Sequence, residues 1–217
     1  MTIEGGVGAG KTALMKTIEC QDLDEVELIP EPIEKWMNYQ GENLLEKFYK
    51  EPRKYAAVFQ TYVAQTLVER QLRMEGKPIV IMERSMASSL LFAEYLMMDK
   101  GLTELEYNVI CGLYKLLGKL QPEVQADAVV YIKTSPKTLL GRIHSRGRKG
   151  EETSTLERLT LMEGLHREYY VKGGYRGPVL QLDGDVDIEH LMDEWEGVMN
   201  WIHDRRNDWM GAGSPRY

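Results

Sequence analysis

The eight residues from Gly5 to Thr12 constrain this chain more than any other segment does. They read Gly-Gly-Val-Gly-Ala-Gly-Lys-Thr and match the pattern G-x-x-x-x-G-K-T. A short apolar stretch, Thr2 to Glu4, precedes them, and a helix-like run from Ala13 to Ile18 follows. Glycines let a strand-to-helix turn point several backbone N–H groups at one anion. The pattern therefore predicts a phosphate-binding loop between the first strand and the first helix.

Two side chains of this loop carry specific chemistry. Lys11 would reach the outer phosphates of a nucleotide, and Thr12 offers a hydroxyl to the Mg²⁺ ion that bridges those phosphates. The backbone around the phosphates would come from Gly5, Gly6, Val7, Gly8, Ala9 and Gly10. We therefore expect ATP or a similar nucleoside triphosphate, together with Mg²⁺. A glycine-rich turn with a chance lysine is the alternative, and the helix-like run directly after the loop disfavours it.

The composition limits the class of protein. A chain of 217 residues that is 43% hydrophobic can form one compact domain with a substantial core. Its formal net charge of -7 argues against a nucleic acid partner, which needs a basic face. Cys20 and Cys111 are too few and too far apart for a disulfide framework. Without a membrane-length apolar run or a targeting segment, we expect a soluble cytoplasmic protein.

Short apolar runs alternate with longer periodic ones, a pattern typical of a parallel sheet with helices on both faces. The strands are predicted at Thr2 to Glu4, Val26 to Pro30, Ile79 to Glu83, Ala128 to Lys133 and Val179 to Asp183. The helices are predicted at Lys11 to Cys20, Arg53 to Glu75, Ala87 to Asp99, Glu104 to Leu120, Pro136 to Ser145, Thr155 to Val171 and Asp187 to Asp204. This predicts a single α/β domain over residues 1–204 and a polar tail over 205–217. Ligands of such folds lie at the carboxyl ends of the strands.

Further motifs follow the loop in the order of a known family. They are Glu31-Pro32-Ile33-Glu34-Lys35-Trp36, Phe59-Gln60, Glu83-Arg84-Ser85, and Arg142 to Arg148 followed by Glu151-Glu152. With the loop, they resemble the deoxyribonucleoside kinases: the deoxycytidine, deoxyguanosine, mitochondrial thymidine and insect deoxynucleoside kinases, and more distantly the herpesvirus thymidine kinases. The matches run from residue 3 to about residue 185. The resemblance implies a P-loop kinase that transfers the γ-phosphate of ATP to the 5′-hydroxyl of a deoxynucleoside.

The resemblance assigns roles to three charged residues at strand ends. Glu31 would be the general base that receives the 5′-hydroxyl proton, and Pro30 and Pro32 hold it in a stiff extended segment. Glu83 would be the Mg²⁺-linked acid, and Arg84 the cation near the transferring phosphate. The alternatives are a surface acid at position 31 and a solvated ion pair at positions 83 and 84.

An arginine-rich segment is predicted to form a lid over the nucleotide. Arg142 and Arg146 are four residues apart and share one helix face, and Arg148 lies between Gly147 and Gly150. Guanidinium groups bind phosphate oxygens with forked hydrogen bonds, and a closing lid excludes water. The alternative is an ordinary basic helix end, favoured by the negative pole of the helix dipole.

The resemblance also implies contacts to the sugar. The lid, about residues 142–155, is one residue longer than in the family, so either Glu151 or Glu152 could bind the 3′-hydroxyl; we expect Glu152. Tyr49 would be the second partner of that hydroxyl, with a plain surface tyrosine as the alternative. Trp36 would form a wall of the sugar pocket, although core packing alone would require the same residue.

The base is expected to bind one face of the helix that begins at Arg53. Phe59, Val63 and Leu67 recur at steps of four residues, and Gln60 adjoins them. By resemblance, the aromatic ring stacks on the base and the amide pairs with its edge. A purely structural core stripe is the alternative, but a buried amide needs polar partners, and a nucleobase supplies them.

The identity of the base is inferred from two missing charges. Cytidine-preferring relatives have an arginine at the position of Leu67 and an aspartate near Ser89. Without them the pocket around Val63, Leu67 and Ser89 is apolar and could hold the 5-methyl group of thymine. We therefore expect thymidine as a substrate, with deoxycytidine also accepted, and Phe92 as a second stacking ring.

Two expectations on partners and two rival functions complete the sequence-based picture. By resemblance, adenine lies near residues 183–187, and a homodimer forms through the helices at Ala87 to Met98 and Tyr107 to Leu117. A nucleoside monophosphate kinase shares the loop and an arginine-bearing lid. A nucleotide-binding switch is the other rival, but no Asn-Lys-x-Asp signature follows the loop.

Overall fold

The five strands form a single parallel sheet. The computed structural model describes residues 1–72, 76–120 and 126–211, with side chains up to residue 207. The strands are β1 (Thr2–Glu4), β2 (Val26–Ile29), β3 (Ile79–Glu83), β4 (Val129–Lys133) and β5 (Val179–Asp183), in the spatial order β2-β3-β1-β4-β5. In the centre, Ile3 pairs with Glu83 of β3 and Val130 of β4. The predicted α/β class with a five-stranded parallel sheet is confirmed.

Ten α-helices lie in the described part of the chain. They are α1 (Lys11–Glu19), α2 (Ile33–Met37), α3 (Leu44–Lys50), α4 (Pro52–Gln71), α5 (Met86–Met98), α6 (Glu104–Leu120), α7 (Pro136–Arg146), α8 (Leu156–Tyr170), α9 (Ile188–Asp193) and α10 (Trp195–Gly211). The sequence patterns located seven helical segments but missed α2 and α3. The predicted end of α4, Glu75, lies outside the described residues.

The α3 helix has clear local causes. Asn43 caps it, since its side-chain oxygen accepts a hydrogen bond from the backbone N–H of Glu46 at 2.9 Å. Leu44, Leu45 and Phe48 form its buried face. The helix contains only seven residues and adjoins the predicted start of α4, so a search for long periodic runs overlooks it.

The C-terminal segment departs from the expected single helix and polar tail. The chain forms two helices, α9 and α10, with Glu194 between them. The α10 helix continues to Gly211, beyond the expected end at Asp204, and Arg206 pairs with Glu25 at 3.1 Å. Residues 212–217 of the predicted tail lie outside the described part.

The sheet separates two hydrophobic cores. Val129 and Tyr131 of β4 face the core formed with α3 to α6 and α8, whereas Val130 and Ile132 face the core that includes α1 and α9. This alternation is the period of two that a strand buried on both faces requires. No helix in the described ranges is long and apolar enough to span a bilayer.

Candidate active site

A cavity of about 620 Å³ opens at the carboxyl ends of the strands. It lies at the centre of the sheet, where β2 and β3 lie on one side of β1 and β4 and β5 lie on the other. A point where the strand order reverses in this way is the usual ligand position in such sheets. The cavity brings together most of the site residues predicted from the sequence, namely Val7, Gly8, Gly10, Lys11, Thr12, Glu31, Trp36, Tyr49, Phe59, Gln60, Val63, Glu83, Arg84, Ser89, Phe92, Arg142, Arg146 and Arg148. Gly5, Gly6 and Ala9 belong to the loop but do not line the cavity.

The phosphate-binding loop has the backbone geometry that its glycines permit. Gly10, the residue before α1, has a φ of 101°, and Gly5 has a φ of 145°. A Cβ atom on Gly5 would lie 2.8 Å from the carbonyl oxygen of Ile132, so a side chain would displace the loop. Among the described residues, no side chain caps α1. The first N–H groups of α1 are therefore free to bind an anion at its positive end.

Lys11 is buried at the base of this loop. Its ammonium group donates hydrogen bonds to the carbonyls of Gly5 at 3.0 Å and Gly6 at 2.9 Å. Burial, and secondarily the nearby Arg84, lower the pKa of Lys11 to about 8, although the carboxylates of Glu83 and Glu31 oppose the shift. A phosphate group bound next to Lys11 would place a negative charge beside this ammonium group and so stabilise its charged form.

Glu83 connects the loop to the second strand. One carboxylate oxygen accepts the hydroxyl hydrogen of Thr12 at 2.9 Å, and the other accepts the backbone N–H of Glu31 at 3.5 Å. Glu83 is only 4% exposed. A single carboxylate therefore joins the hydroxyl expected to bind Mg²⁺ to the residue expected to be the base.

Glu31 and Arg84 form a closely packed ion pair. The Nε atom of Arg84 lies 2.9 Å from Glu31 Oε1, and each side chain is nearly buried. Burial alone would lower the pKa of Arg84, but the carboxylates of Glu31, Glu4 and Glu83 raise it. Arg84 has a φ of 62°, a left-handed conformation that costs a residue other than glycine about 1–3 kcal/mol. The surrounding structure must supply that free energy.

Aromatic rings and one amide form the deep end of the cavity. The ring of Phe59 stacks on Phe48 at 4.7 Å and meets the edge of Trp36 at 5.5 Å. Gln60 is 1% exposed, and its Oε1 atom has no hydrogen-bond partner within the described part of the chain. A buried amide oxygen in a cavity wall is suited to accept a hydrogen bond from a ligand.

The α3 and α5 helices add lining residues that the sequence reasoning did not find. Leu45 and Phe48 come from α3, and Ser88 comes from the first turn of α5. The signal for the first two was the Asn43 cap followed by paired leucines and Phe48. No sequence motif indicated Ser88. Its hydroxyl also forms hydrogen bonds with the backbone of Ser85 in the helix cap.

Leu67 lies outside the cavity, unlike the other residues expected around the base. It is 1% exposed and packs inside the core, one helical turn beyond Val63. Val63 and Ser89 do line the cavity, and the Ser89 hydroxyl donates to the carbonyl of Ser85 at 3.4 Å. The same face of α4 therefore lines the cavity at Phe59 and Val63 and packs in the core at Leu67.

The segment predicted to form a lid, about residues 142–155, is folded around Glu151. Arg146 donates to both carboxylate oxygens of Glu151, at 2.8 and 2.6 Å, and Arg148 donates to one of them at 3.2 Å. The expected sugar ligand, Glu152, is exposed, whereas Glu151 is buried and lines the cavity. Gly150, with a φ of 92°, produces the turn that directs Glu151 inwards. Of the two glutamates, Glu151 is therefore the one that faces the cavity.

Tyr49 and Arg142 complete the walls of the site. Tyr49 packs against Gly150, where a Cβ atom would lie 2.9 Å from the tyrosine. Burial, assisted by Glu151, raises the pKa of Tyr49, so its hydroxyl stays protonated. Arg142 bonds to the carbonyl of Val186 at 2.6 Å and also contacts the loop at Ala9. Arg142 thus links the phosphate-binding loop to the segment after β5.

Comparison with known proteins decides the family. The family model described as deoxynucleoside kinase matches residues 1–205. The chain belongs to the deoxynucleoside kinase family. This kinase is 32% identical to deoxycytidine kinase 2 of Gallus gallus over 89% of its own length and 88% of the relative. It is 30% identical to the mitochondrial thymidine kinase 2 of Homo sapiens, over 89% of its own length and 74% of the relative.

Other similar proteins carry the name deoxycytidine kinase, including the Homo sapiens enzyme, which is 25% identical to this kinase. The family that the sequence motifs resemble is thus confirmed, and with it the P-loop kinase fold. The relatives divide between thymidine and deoxycytidine kinases. The preferred base of this kinase must therefore be inferred from its own pocket.

Proposed function

We propose that this kinase transfers the γ-phosphate of ATP to the 5′-hydroxyl of thymidine and accepts deoxycytidine as a second substrate. The observation that supports it most directly is the position of Glu83. Its two oxygens bond to Thr12 at 2.9 Å and to the backbone of Glu31 at 3.5 Å. A base at Glu31 is then adjacent to the place where the phosphate-binding loop would present the γ-phosphate.

Glu31 accepts the proton of the 5′-hydroxyl in this proposal. The 5′ oxygen forms its bond to the γ-phosphorus, the bond to the β-phosphate oxygen breaks, and ADP leaves. Arg84 is paired with Glu31 at 2.9 Å and holds the carboxylate in position. As a cation, it also neutralises charge on the transferring group. Lys11 and the lid arginines act on the phosphates in the same way.

The chain offers suitable groups for ATP and Mg²⁺. Thr12 and Glu83 supply two oxygen ligands, and Mg²⁺ in nucleotide sites combines such ligands with phosphate oxygens and water. Thr12 and Glu83 would hold the ion, which would supply positive charge against the phosphates. Asp187 and Ile188 line the same cavity beside Arg142, which supports adenine binding next to the segment after β5.

The base pocket supports a pyrimidine with an apolar substituent. Among the described lining residues, those from α3, α4 and α5 carry no charged side chain. Val63, Ser89 and Phe92 line the same cavity as Gln60, whose amide can present either its oxygen or its nitrogen to a base. Thymine and cytosine can therefore both pair with it. The absence of a charged side chain among these lining residues favours thymine, whose methyl group needs an apolar contact.

The sugar would bind between the lid and α3. We assign the 3′-hydroxyl contact to Glu151 and Tyr49, which both line the cavity, and the sugar wall to Trp36. A site that bonds this hydroxyl discriminates against sugars that lack it, because its buried polar groups would stay unpaired.

A kinetic panel of the four deoxynucleosides, with ATP or GTP as donor, tests the proposal. We expect the highest kcat/KM for thymidine with ATP and a lower value for deoxycytidine. Turnover of thymidylate but not of thymidine would favour a monophosphate kinase. Nucleotide hydrolysis that is independent of any nucleoside would favour a switch.

Replacing Gln60 with leucine should raise the KM for thymidine by about 10- to 100-fold, the range expected for loss of two hydrogen bonds. The kcat should change much less, since the amide binds the base equally in the ground and transition states. The measurement is steady-state kinetics at saturating ATP. Gln65→Leu, an exposed position on the same helix, is the matched control. An equal KM for wild type and Gln60→Leu would show that the base binds elsewhere.

We also propose that the kinase forms a homodimer through α6. Leu105, Val109 and Leu116 of this helix are 74, 65 and 53% exposed, and their spacing places them on one stripe. Residue 112, between them, is a glycine with open space around it. An apolar stripe of this kind on a surface helix is typical of a protein interface.

The double substitution Val109→Glu/Leu116→Glu should convert such a dimer into a monomer, because it places buried charges in the interface. Sedimentation velocity would show the change in mass. Asn108→Glu/Lys115→Glu, on an exposed face of the same helix, is the control and should remain dimeric. A monomeric wild type would contradict the proposal. The cytoplasmic location, the absence of a nucleic acid partner and the domain limits at residues 1–204 stay predictions.

A further inference from the structure

Arg70 is a buried arginine near the C-terminal end of α4. It is 9% exposed. Its Nη1 atom donates to the carbonyl of Glu83 at 2.6 Å and to that of Pro30 at 3.3 Å, and its Nη2 atom donates to the carbonyl of Arg84. One guanidinium group therefore bonds to the backbone at the ends of both β2 and β3.

These carbonyls belong to the segments that carry the proposed chemistry. Glu83 and Arg84 are themselves proposed site residues, and Pro30 directly precedes Glu31. Arg70 itself does not line the cavity. Arg70 thus lies behind the site and holds the peptides from which the charged side chains project.

The position is electrostatically demanding. Burial lowers the pKa of Arg70 to about 10, whereas the carboxylates of Glu31, Glu4 and Glu83 favour its charged form. Its Nε atom is buried and has no hydrogen-bond partner among the described residues. A buried guanidinium with an unpaired N–H group is a poor choice for core packing alone. Its two remaining nitrogens both bond to the strand ends.

The backbone conformation of Arg84 indicates what these bonds stabilise. Its φ of 62° persists only where neighbouring groups hold it. The bond from Arg70 acts on the carbonyl of that same residue. We propose that Arg70 is a positioning residue for phosphoryl transfer, which fixes the left-handed backbone of Arg84 and so places its guanidinium against Glu31. This inference rests on the roles proposed above for Glu31 and Arg84.

Replacement of Arg70 with methionine tests it. We expect kcat for thymidine to fall about 10- to 100-fold, as for other small displacements of reacting groups. The dissociation constants for thymidine and ATP, measured by calorimetry, should stay within about threefold. Arg70→Lys keeps the charge and one donor and should recover part of the loss. Arg53→Met, an exposed arginine of the same helix, is the control.

A double-mutant cycle with Arg84→Met separates positioning from general damage. If Arg70 acts through Arg84, Arg70→Met should lower kcat far less in the Arg84→Met background than in wild type. An equal factor in both backgrounds overturns the inference, and so does a wild-type kcat for Arg70→Met. If Arg70→Met does not fold, Arg70→Lys takes its place in the same cycle. A wild type inactive on every deoxynucleoside would instead contradict the proposed function.

Discussion

Glu31→Gln should lower the kcat for thymidine phosphorylation by about 10²- to 10⁴-fold, the contribution of a general base. Glutamine keeps the shape and a hydrogen-bonding oxygen, but it cannot take the proton of the 5′-hydroxyl. The backbone N–H of residue 31 would still bond to Glu83, so the segment should keep its place. Single-turnover kinetics would measure the chemical step, and calorimetry would measure thymidine binding, which should change little.

Glu34→Gln provides the matched control for this variant. Glu34 lies three residues further along and is exposed, so the same substitution there should leave kcat unchanged. Glu31→Gln with near wild-type kcat would refute the role of Glu31. Loss of thymidine binding without loss of kcat would instead make Glu31 a binding residue only.

Lys11→Met should lower kcat/KM for ATP by about 10²- to 10³-fold, as expected when one preorganised donor to the transferring group is removed. At neutral pH, Lys11 is the buried cation of the phosphate-binding loop, and methionine fills its space without the charge. Addition of Mg²⁺ and ATP should raise the unfolding temperature of the wild type and leave that of the variant nearly unchanged.

The same variant should be more stable than the wild type in the absence of nucleotide. The pKa of Lys11 is lowered to about 8 from 10.5, so its charged form costs the fold about 3 kcal/mol at pH 7. Loss of the bonds to Gly5 and Gly6 offsets part of that gain. Between pH 8 and 10.5 the unfolded wild type binds more protons than the folded form, so wild-type stability rises with pH.

Denaturant unfolding of wild type and Lys11→Met at pH 7 and pH 10 would show this trend. The advantage of the variant should shrink at pH 10, where folded Lys11 is already neutral. Lys16→Met, at an exposed position of α1, should show neither the loss of ATP binding nor the change with pH. A Lys11→Met variant that still binds ATP as the wild type does would contradict the assignment of the loop.

Local sequence patterns predicted much of the fold. The five strands were predictable because each is a short apolar run bounded by turn residues, and buried parallel strands leave that pattern. The short helices α2 and α3 were not, since five and seven residues give too little periodicity. This affected the site, because α3 carries Leu45 and Phe48, two lining residues that the sequence analysis did not name.

The lid shows a different limit. Arg146 and Arg148 were predictable from their spacing and flanking glycines, but one extra residue left two glutamates as candidates. The turn at Gly150 directs Glu151 inwards to both arginines, whereas Glu152 is exposed. Leu67 is similar: its spacing matched Phe59 and Val63, yet packing against neighbouring helices placed it in the core.

The sequence by itself determined the phosphate-binding loop, the parallel α/β class and the family, because each is encoded in contiguous residues or in their order along the chain. The tertiary structure alone decided which side chains meet. Glu83 joins Thr12 to Glu31, and Arg70 reaches carbonyls of β2 and β3, through contacts between residues far apart in sequence. Such contacts depend on how strands align and helices pack, and a pattern along the chain does not record that geometry.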